Sequence, residues 1–135
     1  MHKPFLITAA AFGALAVMLG AFGAHSLKEV LSPVSLNIFE TGVRYHFYHS
    51  FALLATGILS DRFRNKWIKY SGYSFIAGII LFSGSLYALA FLQASGNVGM
   101  KNIGVITPFG GLFFIAGWVF LIVAFSVKGN SLKSV

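Results

Sequence analysis

Ten consecutive positions gather the most versatile side chains of the chain: Glu40-Thr41-Gly42-Val43-Arg44-Tyr45-His46-Phe47-Tyr48-His49. On a helix, Glu40 and Arg44 are i,i+4 neighbours in an orientation that favours pairing, and Tyr48 continues their row. Thr41, Tyr45 and His49 form the adjoining row, with His46 one turn before His49. A guanidinium here can hold an anionic group such as a lipid phosphate, with the carboxylate orienting it. The imidazoles allow three chemistries: hydrogen bonding to a neighbouring helix, proton relay, or ligation of a metal or haem. His25 and Lys28 approach from an earlier segment and Tyr87 from a later one. The candidate ligand-binding set is therefore His25, Glu40, Arg44, Tyr45 and His49, with Lys28, Thr41, His46 and Tyr87 secondary. No residue is assigned as catalytic or as a metal ligand.

Several chemistries are disfavoured by what is missing. The chain has only three acids, Glu29, Glu40 and Asp61. None lies within an uncharged apolar run, where a proton-driven exporter would keep its coupling carboxylate. No nucleophile, base and acid stand in a recognisable set, so the sequence points away from an enzyme. Without cysteine there is no disulfide framework, zinc–thiolate site or cysteine nucleophile. Two histidines at i,i+3 without a Glu-x-x-His arrangement are thin grounds for a metal or haem, and no cofactor is assigned. The Gly96–Gly104 stretch lacks a phosphate-loop lysine pattern. His2 reads as part of a free terminus.

The elements that must position these side chains are long and apolar. Pro4–Ala24, Tyr45–Ser60, Tyr70–Met100 and Asn102–Val127 contain no Asp, Glu, Lys or Arg. A bilayer core needs ~20 apolar residues as helix. Hydrophobic residues make up 57% of the chain, charged residues 10%, and mean hydropathy is +0.81. A soluble domain carries about 25% charged residues. The expectation is one all-α membrane domain over 1–135, a four-transmembrane-helix bundle with spans near 4–25, 41–60, 70–93 and 104–127. The first span is longer than the ~7–15 residue core of a cleaved signal and is expected to be retained.

Net charge is +7 with a pI near 10.0, but the basic residues flank the apolar runs, so they read as topology and not as a nucleic-acid surface. With four spans, Lys3, Arg62, Arg64, Lys66, Lys69, Lys128 and Lys133 share one side. Lys28, Arg44 and Lys101 take the other. The positive-inside rule then places both termini in the cytoplasm of a multi-pass plasma-membrane protein. Trp67, Tyr70 and Tyr73 suit an interfacial belt.

Within the spans, Ala9, Gly13, Ala16, Gly20 and Ala24 form a small-residue stripe of the kind that lets membrane helices approach. Ser74/Gly78 and Gly84/Ala88 repeat the device. Ser32-Pro33 opens the second helix, with Ser as cap and Pro in the first turn. Continuous to Ser60, that helix would be about 42 Å long. Residues 33–40 should therefore form an external amphipathic start. Counting outward from Ser60 places His49 near the midplane, ~16 Å from the cytoplasmic edge. Thr107-Pro108-Phe109-Gly110-Gly111 predicts a kink or break in the last span.

Four motifs together resemble a known family. They are Gly20-Ala21-Phe22-Gly23-Ala24-His25-Ser26-Leu27-Lys28, Phe39–His49, Ser83-Gly84-Ser85-Leu86-Tyr87 and Ile106-Thr107-Pro108-Phe109-Gly110-Gly111. In order and spacing they resemble the bacterial family called domain of unknown function 423, which is similar to eukaryotic transmembrane protein 256. The resemblance implies a small bacterial plasma-membrane protein of four helices and no stated activity. It carries over His25, Lys28, Glu40, Thr41, Arg44, Tyr45 and His49. The leading expectation is a non-enzymatic protein that sits in the lipid bilayer and binds a lipid, a small ligand or a membrane protein partner, which includes a second copy of itself. Nucleic acid is not expected. The alternatives are a small channel or proton-linked transporter using His49, and a metal- or haem-binding module using His25, His46 and His49.

Overall fold

A computed structural model describes residues 1–96 and 103–127. Helix α1 spans Lys3–His25, with Pro4 in its first turn, and is followed by a 3-10 turn at Leu27–Glu29. Helix α2 spans Pro33–Leu59. As expected, Ser32 caps it: the Ser32 hydroxyl accepts from the Ser35 amide. Helix α3 (Lys66–Gly78), a π-helical turn (Ile79–Ser83) and helix α4 (Gly84–Ala94) form one uninterrupted rod. Asn65 caps α3 by accepting from the amides of Trp67 and Ile68. Helix α5 spans Ile103–Ser126. No strand occurs among the described residues.

Three of these rods, Lys3–Glu29, Lys66–Ala94 and Ile103–Ser126, are long and apolar enough to cross a membrane. Helix α2 has 27 residues, about 40 Å of helix, but Glu40, Arg44 and two histidines dilute its hydropathy. The surface carries large apolar side chains, with Ile7 71%, Val17 60% and Ile122 63% exposed. The interior combines large apolar side chains such as Phe5, Phe39, Leu53 and Phe75 with small and polar ones, among them Ala9, Ala16, Ser50, Thr56, Ser71 and Ser83. So much large apolar surface left outside the core marks a molecule that meets lipid. Lipid removes the drive to bury large apolar groups and leaves close packing and hydrogen bonds to hold helices together.

Contacts at the two ends show that neighbouring rods run antiparallel. At one end the His2 amide donates to the Gly57 carbonyl at 3.0 Å. The Met1 ammonium lies 3.5 Å from Asp61, and Asn65 Nδ2 donates to the Ala124 carbonyl at 2.9 Å. His2 is therefore not a free terminus; its ring also packs on Phe5. Asp61 accepts from Arg64, and that bond, with the nearby ammonium, holds its carboxyl below the usual range. At the other end Phe39 packs beneath Gly23, and Ser35 Oγ donates to Gln93 Oε1 at 3.2 Å. Ser35 and Phe39 are buried, so the first turns of α2 belong to the bundle. Lys3, Arg62, Arg64, Lys66 and Lys69 lie at the first end. Lys101, Lys128 and Lys133 lie outside the described residues, as does most of the glycine-rich stretch before α5.

Helix α2 is central. Helix α1 packs along one side of it and the long third rod along another, while α5 packs mainly on α3. Glycines set the closest approaches. A Cβ at Gly110 would lie 2.3 Å from the backbone nitrogen of Phe82, inside the π-helical turn. Gly78 receives the Phe114 ring, and Gly117 receives Phe75 in return. The expected stripe on α1 holds at Ala9, Ala16 and Gly20, but its outer end is Gly23 and not Ala24. Gly13 has no neighbour within 4 Å. Helix α5 shows no break: it runs through Pro108, its sixth residue, although proline there cannot donate to the Gly104 carbonyl.

Candidate functional site

The helical twist of α2 divides the polar cluster among three surroundings. Phe39, Gly42, His46, His49, Leu53 and Thr56 face inward and are buried. Glu40, Arg44, Phe47 and Tyr48 face the seam with α1. Tyr45 lies on the opposite flank, its ring 4.8 Å from that of Phe82 on the third rod. One helix therefore presents two distinct polar groupings.

The inward grouping is hydrogen-bonded and stacked. His49 is 6% exposed. Its Nδ1–H donates to the Tyr45 carbonyl at 2.8 Å, which leaves Nε2 to accept from Trp118 Nε1–H at 3.3 Å. Its ring lies flat on Phe114, centroids 3.5 Å apart and 9° from parallel. Both nitrogens are thus engaged in a single neutral tautomer. His46, 3% exposed, places Nδ1 3.1 Å from the Tyr87 hydroxyl and its ring edge-on to Phe12. Its Nε2 is buried without a partner. Gly42 makes room for Tyr87: a Cβ there would meet the tyrosine ring at 2.8 Å.

The outward grouping lines a groove of about 640 Å³ between α1 and α2. Its α1 wall is Ala16, Val17, Gly20, Ala21 and Gly23; its α2 wall is Phe39, Glu40, Val43, Arg44, Phe47 and Tyr48. A second recess of about 270 Å³, lined by Gly13, Ala14, Ser50, Phe51 and Leu54 among others, shares Val17 and Phe47 with the first. The two make one trough along the α1–α2 seam, with Glu40 and Arg44 near one end and apolar walls beyond. Glu40 and Arg44 are both exposed to the groove, and no ion pair joins them. The expected Glu40–Arg44 pair is therefore absent, although both side chains line the same groove.

The structure does not bring the predicted set together. His25 is exposed and folds back on its own helix, with Nδ1 3.0 Å from the Ala21 carbonyl. Lys28 is exposed in the 3-10 turn, and Thr41 donates to the Asn37 carbonyl. Only Glu40 and Arg44 of the primary set line the groove; His46 and Tyr87 of the secondary set meet each other instead. Sequence reasoning passes over Val17, Val43 and Phe47, which form the groove walls, and Trp118, the partner of His49. The spacing of Val43 and Phe47 around Arg44 carried a signal for the first group. Trp118 carried none. Among the described residues no three His, Asp or Glu side chains gather as a metal site.

A helical bundle with three rods long and apolar enough to cross a membrane, and with large apolar side chains spread over its outer surface, defines an all-helical membrane protein. The comparisons with known proteins agree. The family described as a protein of unknown function (DUF423) matches residues 19–111. The UPF0382 membrane protein YwdK of Bacillus subtilis is 42% identical over 123 residues, which cover 90% of this chain and 95% of the relative. A UPF0382 membrane protein of Haemophilus influenzae is 43% identical over 132 residues, covering 98% and 100%. The UPF0382 inner membrane protein YgdD of Escherichia coli is 36% identical over 118 residues, covering 87% and 86%. The chain belongs to this family of membrane proteins of unknown function. No solved structure matches it.

Proposed function

We propose that the protein is a non-enzymatic, four-span protein of the plasma membrane, with both termini cytoplasmic, that binds a phospholipid in the α1–α2 groove. The observation that carries this reading is the trough itself. An apolar channel along a membrane helix seam ends at an arginine that has no acidic partner among the described residues. Arg44 suits a phosphate, because a guanidinium donates to its oxygens in a fixed fork. The walls beyond it suit an acyl chain, which lies along small residues without leaving a void. On the proposed topology Arg44 sits near the external boundary of the hydrocarbon core, at headgroup depth, and the trough points toward the midplane.

The alternatives have weaker support. A proton relay through His49 would need partners that take up and release protons, whereas its nitrogens are bonded to a backbone carbonyl and an indole N–H. A metal or haem site would need His25 near His46 and His49, and His25 instead folds back on α1.

The test is phospholipid retained on the gently solubilised protein, read by native mass spectrometry. Arg44→Ala should lose most of the bound lipid. Gly13→Leu, which adds a side chain where open space lies, should also lower retention while thermal stability is kept. Equal lipid on wild type and both variants overturns the proposal, and a bound protein partner in place of lipid would reassign the groove.

A further inference from the structure

The groove offers one cation and one anion side by side. Glu40 and Arg44 stand about one helical turn apart, about 6 Å along the axis. Both face the same apolar trough, and among the described residues no other charged side chain lines it. An anionic headgroup would meet Glu40 as a like charge beside its phosphate. A headgroup carrying both signs would meet each residue as its complement.

Resting on the phospholipid reading above, we infer that the groove selects a zwitterionic lipid with a primary amine, a phosphoethanolamine headgroup. Its phosphate lies on Arg44 and its ammonium on Glu40. The separation suits the pair, since two carbons place the amine of phosphoethanolamine roughly one helical turn from its phosphorus. A primary ammonium can donate up to three hydrogen bonds to a carboxylate, as a lysine does. The quaternary ammonium of a choline lipid has no N–H to donate. The polarity of the groove sets the orientation: charges at one end and an acyl-sized trough running from Val17 and Phe47 toward Leu54. Mutual pairing of Glu40 and Arg44 is the competing arrangement. Exposed i,i+4 ion pairs are weak, so a headgroup that satisfies both charges displaces it at small cost.

The experiment offers the purified protein equal amounts of phosphatidylethanolamine, phosphatidylcholine and phosphatidylglycerol with identical acyl chains, and reads retained lipid by native mass spectrometry. Wild type should retain the ethanolamine lipid about three- to fivefold over each of the others, the factor expected of one exposed charge contact. Glu40→Gln should abolish that preference while phosphatidylglycerol retention stays the same or rises. Glu40 is exposed and makes no ion pair among the described residues, so the variant keeps its packing. Matched thermal unfolding confirms it, and the wild-type headgroup ranking stands as a readout independent of any variant. A wild-type preference for phosphatidylglycerol or phosphatidylcholine overturns this inference and leaves the phospholipid reading intact. A preference that survives Glu40→Gln also overturns it. Failure to retain any of the three overturns both.

Discussion

His49 shows what a buried imidazole does when both nitrogens are spoken for. The Tyr45 carbonyl takes its Nδ1–H, Trp118 donates to its Nε2, and Phe114 covers one face. Protonation would put a hydrogen on the atom that now accepts, and would set two donors against each other. The side chain is therefore a joint between α2 and α5. His49→Ala should lower stability by about 2–4 kcal/mol, the sum of a cavity and lost hydrogen bonds. Trp118→Phe keeps the packing and should cost only about 0.6–1 kcal/mol. Thermal unfolding in detergent checks both; a His49→Ala protein as stable as wild type would show that the joint carries no weight. That His49 turns toward the bundle interior could be expected from its place along α2, where an ionisable group needs a partner. Its partner could not, because Trp118 is 69 residues away on a helix whose place in the bundle no local pattern encodes. The expected pairing of Arg44 with Glu40 followed from spacing alone, and rotamers decide pairing.

At the scale of elements, glycine determines where helices touch. Gly110 was visible in the sequence as part of a Pro-Phe-Gly-Gly run and suggested a kink or break. In the structure it is a contact point, where α5 lies directly on the backbone of the π-helical turn. Gly110→Ala should destabilise by roughly 1–3 kcal/mol, since the colliding atoms are main-chain and cannot rotate away. Gly84→Ala, with nothing within 4 Å, should be neutral or slightly stabilising by removing backbone freedom from the unfolded chain. Comparison of the two melting temperatures tests whether close approach, and not glycine as such, is what matters. The small-residue stripe on α1 was readable because it follows helical periodicity. Its outer end was placed one residue off, at Ala24 for Gly23, since a repeat written in threes and fours drifts around a real helix.

For the whole molecule, uncharged runs and flanking basic residues suffice to propose a bundle, whereas the neighbours of each helix emerge only from packing. The proposed orientation has a direct check, because the chain has no cysteine. Single cysteines at Arg62 and at Lys28 should label differently with a membrane-impermeant maleimide. Lys28→Cys should react in intact spheroplasts and Arg62→Cys only after permeabilisation; the reverse pattern would invert the topology. The π-helical turn at Ile79–Ser83 bears on the same architecture. Such a turn accommodates one residue more than an α-helical turn. It offsets the angular phase of everything beyond it by roughly 100° from a straight α-helix. The rod from Lys66 to Ala94 is thus two helices spliced out of phase. The first half aims Phe75 and Gly78 at α5, and the second is indexed so that Tyr87 reaches His46 and Ala90 is buried. Excision of one residue from this turn would leave every side chain of α4 in the chain and dial all of them to the wrong hour.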